Sequence, residues 1–323
     1  MKFATHFLAA ALGLALAAPL PALAQQSPAP AKMQFIVADA SSSGTYKEML
    51  GQVKGVCNSD DYDIVEADVK GGATDNLAAL LANKVSAAFL HSDVIYFYGR
   101  TEPKYHDYKT LVALYPEDIH IVALRSSGIK AGGYAGTGIG AKVVEFTTMT
   151  DLAGYKVGAA GGGVITARIL SGEGEGHFDV VQYNSGADVL AALGKNEIQA
   201  AVFVGGAPLT NVAALSADAY KLLSINEAAA TRLSGVYRRT TINYVNLHSD
   251  NVPTLAPMAT IVTRKYTVAK FVAPQRRFRE CFYAGLTELQ ETPGNHPKWQ
   301  LVNPDDHGVW EWYEFLGSPA LAK

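Results

Sequence analysis

Lys156-Val157-Gly158-Ala159-Ala160-Gly161-Gly162-Gly163-Val164-Ile165-Thr166-Ala167-Arg168-Ile169-Leu170 reads as the end of a strand, a glycine turn and the opening of a helix. Ile165, Ile169 and Leu170 fall on one helical face. Consecutive glycines let the backbone approach a ligand closely and adopt φ values that other residues avoid. The amides that open a helix have no partner inside it, and the helix dipole is positive at that end. Such a turn is a seat for a carboxylate, phosphate or similar anion. It is also an ordinary connection wherever strands alternate with helices, so the remainder of the chain has to weigh the two readings.

The chain has 323 residues, 49% hydrophobic and 18% charged, with a net charge of −3. The length predicts two domains. The charge balance argues against nucleic acid as a partner, which calls for a basic face. At the N-terminus, Lys2 precedes an apolar run over residues 7–18, then Pro19-Leu20-Pro21 and Ala22-Leu23-Ala24. This is the charged start, apolar core and small-x-small cleavage site of a secretory signal peptide over residues 1–24, too short in its apolar part to span a bilayer comfortably. Residues 25–32, rich in Gln, Pro and Ala, read as a flexible leader. The expected location is the periplasm, after cleavage behind Ala24. Export places Cys57 and Cys281 in an oxidising compartment, where a disulfide between them and two separate buried thiols both remain open.

Residues 33–38 form a continuous apolar run, expected as a buried strand, leading into Asp39-Ala40-Ser41-Ser42-Ser43-Gly44-Thr45-Tyr46 and a helix over about 45–56. One hydroxyl suffices to cap that helix; four in five positions are available to hold a polar ligand as well. Residues 62–69 are a second strand, followed by Gly71-Gly72-Ala73-Thr74-Asp75-Asn76 and an amphipathic helix. Residues 85–90 are a third strand, ending in His91-Ser92-Asp93. Counting the glycine turn at Gly161, four strand-to-helix turns carry Gly, Ser, Thr or Asp, and in open α/β sheets ligands sit outside the carboxyl ends of the strands. Residues 110–124 contain two β-type runs broken at Tyr115-Pro116-Glu117, the second read as a crossing between domains. Residues 128–150 read as a surface excursion; Gly136-Thr137-Gly138-Ile139-Gly140 has no preceding strand and no clear following helix to make it a phosphate loop. Beyond the central turn, strands are expected at 180–183, 200–204 and 221–225 and helices at 187–194 and from 210. Residues 240–247 are expected to return toward the first domain, 254–263 to be β-rich, and 265–290 to be helical with Pro274 inside. Trp299, Trp310 and Trp312 are read as packing that ties down the C-terminal segment. The alternation predicts α/β layers with largely parallel pairing.

Catalytic and metal motifs are sparse. There is no G-x-S-x-G, H-E-x-x-H, CxxC or Walker loop. His91-Ser92-Asp93 and His248-Ser249-Asp250 repeat a tripeptide, but sequence neighbours are not thereby oriented as a triad. Asp305-Asp306-His307 reads as a solvated turn, and two lone cysteines make no zinc site. No enzyme activity, catalytic residue, metal or cofactor is expected.

An ordered set of stretches resembles the TAXI class of solute receptors, the extracytoplasmic subunits of TRAP transporters. They are residues 40–46, 71–77 and 92–94, then Ala113-Leu114-Tyr115-Pro116-Glu117-Asp118-Ile119-His120, Asp151-Leu152-Ala153-Gly154-Tyr155-Lys156-Val157, 161–170, and Gln199-Ala200-Ala201-Val202-Phe203-Val204-Gly205-Gly206-Ala207-Pro208. The resemblance implies a two-lobed, type II periplasmic binding fold with a ligand cleft between lobes, one lobe of residues 33–124 plus 248–323 and the other of 125–247. It would bring Cys57 and Cys281 into one lobe. It implies capture of a small organic anion, such as glutamate or another carboxylate, and delivery to the membrane subunits of a TRAP permease. In that reading Ser42, Ser43 and Thr45, with the amides of Gly161, Gly162, Gly163 and Val164, hold the charged end of the ligand. Asp93 accepts from a ligand ammonium or hydroxyl, and Tyr115 or Phe203 lines the apolar part. Tyr46, Gly72 and Gly205 complete the expected set. Family members usually carry Gly-Ser-Gly-Thr where this chain has Gly161-Gly162-Gly163-Val164, so two hydroxyls are missing from the anion seat. The first loop begins Ala40-Ser41 rather than Gly-Ser, and the connection over 131–150 is longer than the family's. A binding protein of the same fold serving an ABC transporter or a sensor is the near alternative, and a secreted enzyme the distant one.

Overall fold

The computed structural model describes residues 31–39, 45–69, 71–132, 139–306, 308 and 310–315. The signal peptide, most of the leader, the Ala40–Gly44 loop with Ser42 and Ser43, Gly136-Thr137-Gly138 and His307 lie outside these residues.

The chain starts in lobe 1 with β1 (Met33–Ala38), α1 (Thr45–Cys57), β2 (Tyr62–Ala67), α2 (Ala73–Leu81), β3 (Ala87–His91), α3 (Ser92–Thr101) and β4 (Tyr108–Pro116). It continues in lobe 2 with β5 (Asp118–Leu124), β6 (Lys130–Ala131), β7 (Lys142–Val143), β8 (Lys156–Ala160), α4 (Gly163–Ser171), β9 (Asp179–Tyr183) and α5 (Gly186–Gly194). Then come β10 (Ala200–Gly205), α6 (Thr210–Ala213), β11 (Tyr220–Leu223), α7 (Glu227–Arg232), β12 (Arg238–Tyr244) and β13 (Ser249–Ala256). It returns to lobe 1 with β14 (Met258–Arg264), α8 (Ala269–Ala284) and α9 (Leu286–Glu291).

The two large sheets repeat one plan. In lobe 1 the order is β2-β1-β3-β14-β4, and in lobe 2 it is β11-β5-β10-β8-β9. Each has a parallel trio, β2-β1-β3 or β9-β8-β10. Beside each trio lies an antiparallel strand that has just arrived from the other lobe, β14 against β3 and β5 against β10. This is the two-lobed, type II α/β arrangement, with the carboxyl ends of both parallel trios turned toward the space between lobes.

The crossings fall elsewhere than expected. β5 belongs to the sheet of lobe 2, so the chain leaves lobe 1 at Glu117 rather than after 124. β12 does not return: it turns at residues 245–248 and pairs antiparallel with β13, and the return is made at Pro257. His248 makes that turn in the left-handed region, φ 49°. The two crossings touch, the Glu117 amide donating to the Pro257 carbonyl at 2.8 Å. The stretch over 128–150, expected as a surface excursion, contains an exposed two-stranded ribbon, β6 with β7, but then turns inward and buries Phe146 and Met149 in the core.

One face of the lobe 1 sheet is covered by α1 and α8. Met49, Leu50, Val53 and Cys57, three and four residues apart, point inward from α1. Phe278 and Phe282 do so from α8, with Phe278 and Phe35 ring centroids 4.8 Å apart. Pro274 sits inside α8, and Gly285 separates it from α9. Cys57 and Cys281 are joined in a disulfide across this helix pair. Trp299 is buried, its indole N–H donating to Gln52 Oε1 at 2.6 Å. Trp312 forms a bridge beside Thr110 at the edge of β4. Among the described residues no helix is long and apolar enough to cross a membrane.

Candidate functional site

Each lobe presents a glycine turn at a strand's carboxyl end, and the two turns meet. Gly161 has φ 53° and Gly72 has φ 89°, conformations that disfavour side chains. A Cβ on Gly72 would come 3.7 Å from Gly161 Cα, and one on Gly161 would come 3.4 Å from the Gly71 carbonyl oxygen. Backbone faces backbone, so the lobes close to van der Waals contact here. Gly162 lies at the same seam, where a Cβ would come 2.8 Å from His91 Cε1 and 3.1 Å from Ala73 Cβ. In the turn itself, the Val164 and Ile165 amides bond back to the Gly161 and Gly162 carbonyls. The Val164 side chain is buried in an apolar cluster that includes residues of both lobes, Leu90 and Val94 on one side and Ile119 on the other.

Beside the glycine seam is a buried polar group centred on the first crossing. Glu117 lies between the apolar runs of β4 and β5, and it is buried. Tyr46 donates its hydroxyl proton to Glu117 Oε2 at 2.6 Å, and His91 Nε2 lies 3.3 Å from the same oxygen. Burial raises the Glu117 pKa, against the opposing charge of His91 and the Tyr46 hydrogen bond. The Tyr46 and Tyr115 hydroxyls are pushed up, first by burial and then by the Glu117 charge. Thr45 hydrogen-bonds Tyr115, so the start of α1 and the end of β4 are tied at this point. Lys298 reaches in from the C-terminal segment, its Nζ 5.8 Å from the Tyr115 ring centre and 3.3 Å from the Ala207 carbonyl of lobe 2.

Asp93, at the start of α3, joins the lobes from the other side of His91. Its Oδ2 accepts from Thr166 of α4 at 2.6 Å and from Tyr237 at 2.9 Å. Its Oδ1 is buried without a hydrogen-bond partner among the described residues and lies 3.9 Å from His91 Nδ1. A buried carboxylate oxygen left unbonded is a high-energy arrangement, and a donor carried by a ligand would relieve it.

Of the residues expected at the site, the structure brings Gly72, Gly161, Gly162, Val164 and Asp93 to the seam and Thr45, Tyr46 and Tyr115 around Glu117, whereas Gly163 faces the Val202 carbonyl within lobe 2. Phe203 is placed apart, in the outer core of lobe 2 beside Gly186. Gly205 closes β10 against Leu209. Glu117, His91, Thr166, Tyr237 and Lys298 were not expected. A carboxylate between two apolar β runs was the one local signal, and it marked a break rather than a buried group.

His120, three residues beyond the crossing, is fully buried, with Nε2 2.9 Å from the Tyr244 hydroxyl. That hydroxyl accepts from the Leu209 amide, so its own proton is free to go to His120. Burial pushes the His120 pKa down to about 4 from an ordinary 6.5. The folded-state value is depressed, so the contribution to stability is full above pH 6.5. It is lost as pH falls toward 4, because the unfolded chain takes up a proton that the folded chain refuses. The expected loss over that window is about 3 kcal/mol. A His120→Gln variant should show a correspondingly shallower fall in stability between pH 6.5 and 4 in denaturant titrations; equal slopes would contradict the assignment.

No family model matches the chain. No curated protein matches it either. Solved structures resemble it weakly. A protein of Bordetella bronchiseptica RB50 is 14% identical, covering 84% of this chain and 76% of its own, at a TM-score of 0.49. A periplasmic binding protein of Salmonella typhimurium, described as having high arginine specificity, is 13% identical, covering 83% of this chain and 96% of its own, at 0.48. The glutamate-bound GluR0 ligand-binding core of Nostoc punctiforme is 11% identical, covering 79% of this chain and 93% of its own, at 0.45. At these values the likenesses say nothing of what this chain binds.

Proposed function

We propose that this chain is a periplasmic solute receptor, exported through a cleaved signal peptide, that closes two lobes around a small organic anion. The observation that carries the reading is the meeting of two side-chain-free turns, Gly71-Gly72 and Gly161-Gly162, beside buried polar groups at a two-strand crossing. Such a seam is bare where the lobes must touch and polar where a solute must be held. The turn into α4 offers the Gly162 and Gly163 amides to a carboxylate; the Val164 amide, expected to join them, is taken by the Gly161 carbonyl. Asp93 Oδ1, unpartnered among the described residues, offers an acceptor to an ammonium or hydroxyl, which favours an amino acid or hydroxy acid within the carboxylate class. The Ser42 and Ser43 hydroxyls are proposed to add to the carboxylate contacts. The ordered stretches shared with TAXI receptors support delivery to a TRAP permease driven by a cation gradient. Ligand binding drives closure only by its extra affinity for the closed state.

A thermal-shift screen of the chain from Gln25, refolded to strip bound solute, against amino acids, hydroxy acids, dicarboxylates and keto acids tests the ligand class. One carboxylate is expected to raise the melting temperature with the logarithm of its concentration, corresponding to about 2.7 kcal/mol at a hundred times Kd. No shift with any member of the panel would overturn the receptor reading. Uptake of the identified solute into vesicles bearing a TRAP permease, with and without this protein, tests the delivery step.

A further inference from the structure

A cavity of about 470 Å3 lies on the α3 side of the lobe 1 sheet, and none of the seam glycines lines it. Its walls are aromatic and aliphatic: Tyr96 and Ile95 of α3, Tyr105, Tyr108, Trp310, and Val236 from lobe 2. Arg100, His106 and Lys109 also line it, against Glu311 as the lining acid. Arg100 is held by Glu173 from outside the cavity, and Lys109 by Glu311. Each lining cation is thus ion-paired, one carboxylate to each. The volume suits a one- or two-ring molecule. Four aromatic side chains offer faces and edges to a flat ring, and the His106 imidazole with the ion-paired Arg100 and Lys109 offers N–H donors to a negative substituent.

From this we propose a second ligand site, for a small aromatic acid, between α3, the outer end of β4 and the C-terminal segment. It goes beyond the solute reading and does not depend on it, because none of its walls is a residue of the glycine seam or of the Glu117 group.

Gly99 makes a direct test possible. It lines the cavity from α3, and a Cβ built on it has no heavy atom within 4 Å. Gly99→Trp therefore adds bulk at the cavity wall from a position where the first added carbon meets no neighbouring atom. Gly235, which also lines the cavity and has the same open surroundings, gives Gly235→Phe as a second filling variant. The experiment is isothermal titration of the full mature protein with indole-3-acetate, with indole as the uncharged comparison. Indole-3-acetate is expected to bind the wild type, to bind at least about tenfold more weakly to either filling variant that folds, and to bind tighter than indole. Absence of binding to the wild type, or equal binding to the filled variants, would overturn the site. Indole binding as tightly as indole-3-acetate would overturn the acid and leave an apolar pocket. Circular dichroism melts of both variants identify any loss due to unfolding, and the variant that melts like the wild type is the one scored.

Discussion

Gly162→Leu is expected to weaken solute binding about 100-fold, equivalent to about 2.7 kcal/mol, while leaving the isolated lobes folded. Gly162 has helical φ and ψ, −60° and −29°, so a side chain there carries no backbone strain. The penalty lies across the seam, where the first added carbon already comes 2.8 Å from His91 and 3.1 Å from Ala73. Both partners belong to the other lobe, so the strain appears only on closure. Gly162→Ala should show a smaller loss, on the order of tenfold, because a few tenths of an ångström of adjustment suffices for one methyl group. Gly162→Asp combines the same obstruction with repulsion of an anion from the helix start, and comparison with Gly162→Asn separates the charge from the bulk. Calorimetry gives the affinities, and small-angle scattering with saturating solute reports whether the compact form is still reached. Gly51→Ala, on an open face of α1 with nothing within 4 Å, is the control. Wild-type affinity in Gly162→Leu would remove the seam from the binding mechanism.

Breaking the Cys57–Cys281 disulfide is expected to destabilise the protein by about 2–4 kcal/mol, with a fall in melting temperature on the order of 10 °C. The bond closes a loop of sequence separation 224, which contains the whole of lobe 2. In the chain-entropy account, a long closed loop restricts the unfolded chain strongly. The folded state has little to lose on reduction, because α1 and α8 are also held by the buried Phe278 and Phe282 beneath them. Urea titration of the oxidised and reduced protein compares one sequence with itself. A difference under about 1 kcal/mol would mean that the reduced chain is already constrained near these positions. Because both cysteines belong to lobe 1, solute affinity should change far less than stability.

Much of the site's scaffold was legible locally. The strand, glycine turn and helix at 156–170 appear as read, because an apolar run followed by glycines and a 3.6-residue apolar period constrains the backbone over a short distance. The same holds for β1, for β3 with the turn at His91-Ser92-Asp93, and for the break at Tyr115-Pro116-Glu117. The meaning of that break was not legible. Glu117 is buried because Tyr46, His91 and the Pro257 backbone converge on it from three distant segments. No local pattern distinguishes it from a solvated turn residue. Phe203 failed to join the cleft for a related reason: alternation along β10 allows either face, and only the helices packed on each face decide which way the ring points.

The sequence by itself determined the alternation of strands and helices and the glycine turns at strand ends, since each follows from burial periodicity and backbone freedom within a few residues; the two-lobed class was what the resemblance of its ordered stretches implied. Tertiary structure alone decided that β5 and β13 belong to lobe 2, that Cys57 meets Cys281, and that Asp93 bonds Thr166 and Tyr237. These depend on which distant segments share a sheet or a seam, and that choice is made by the packing of whole faces against one another.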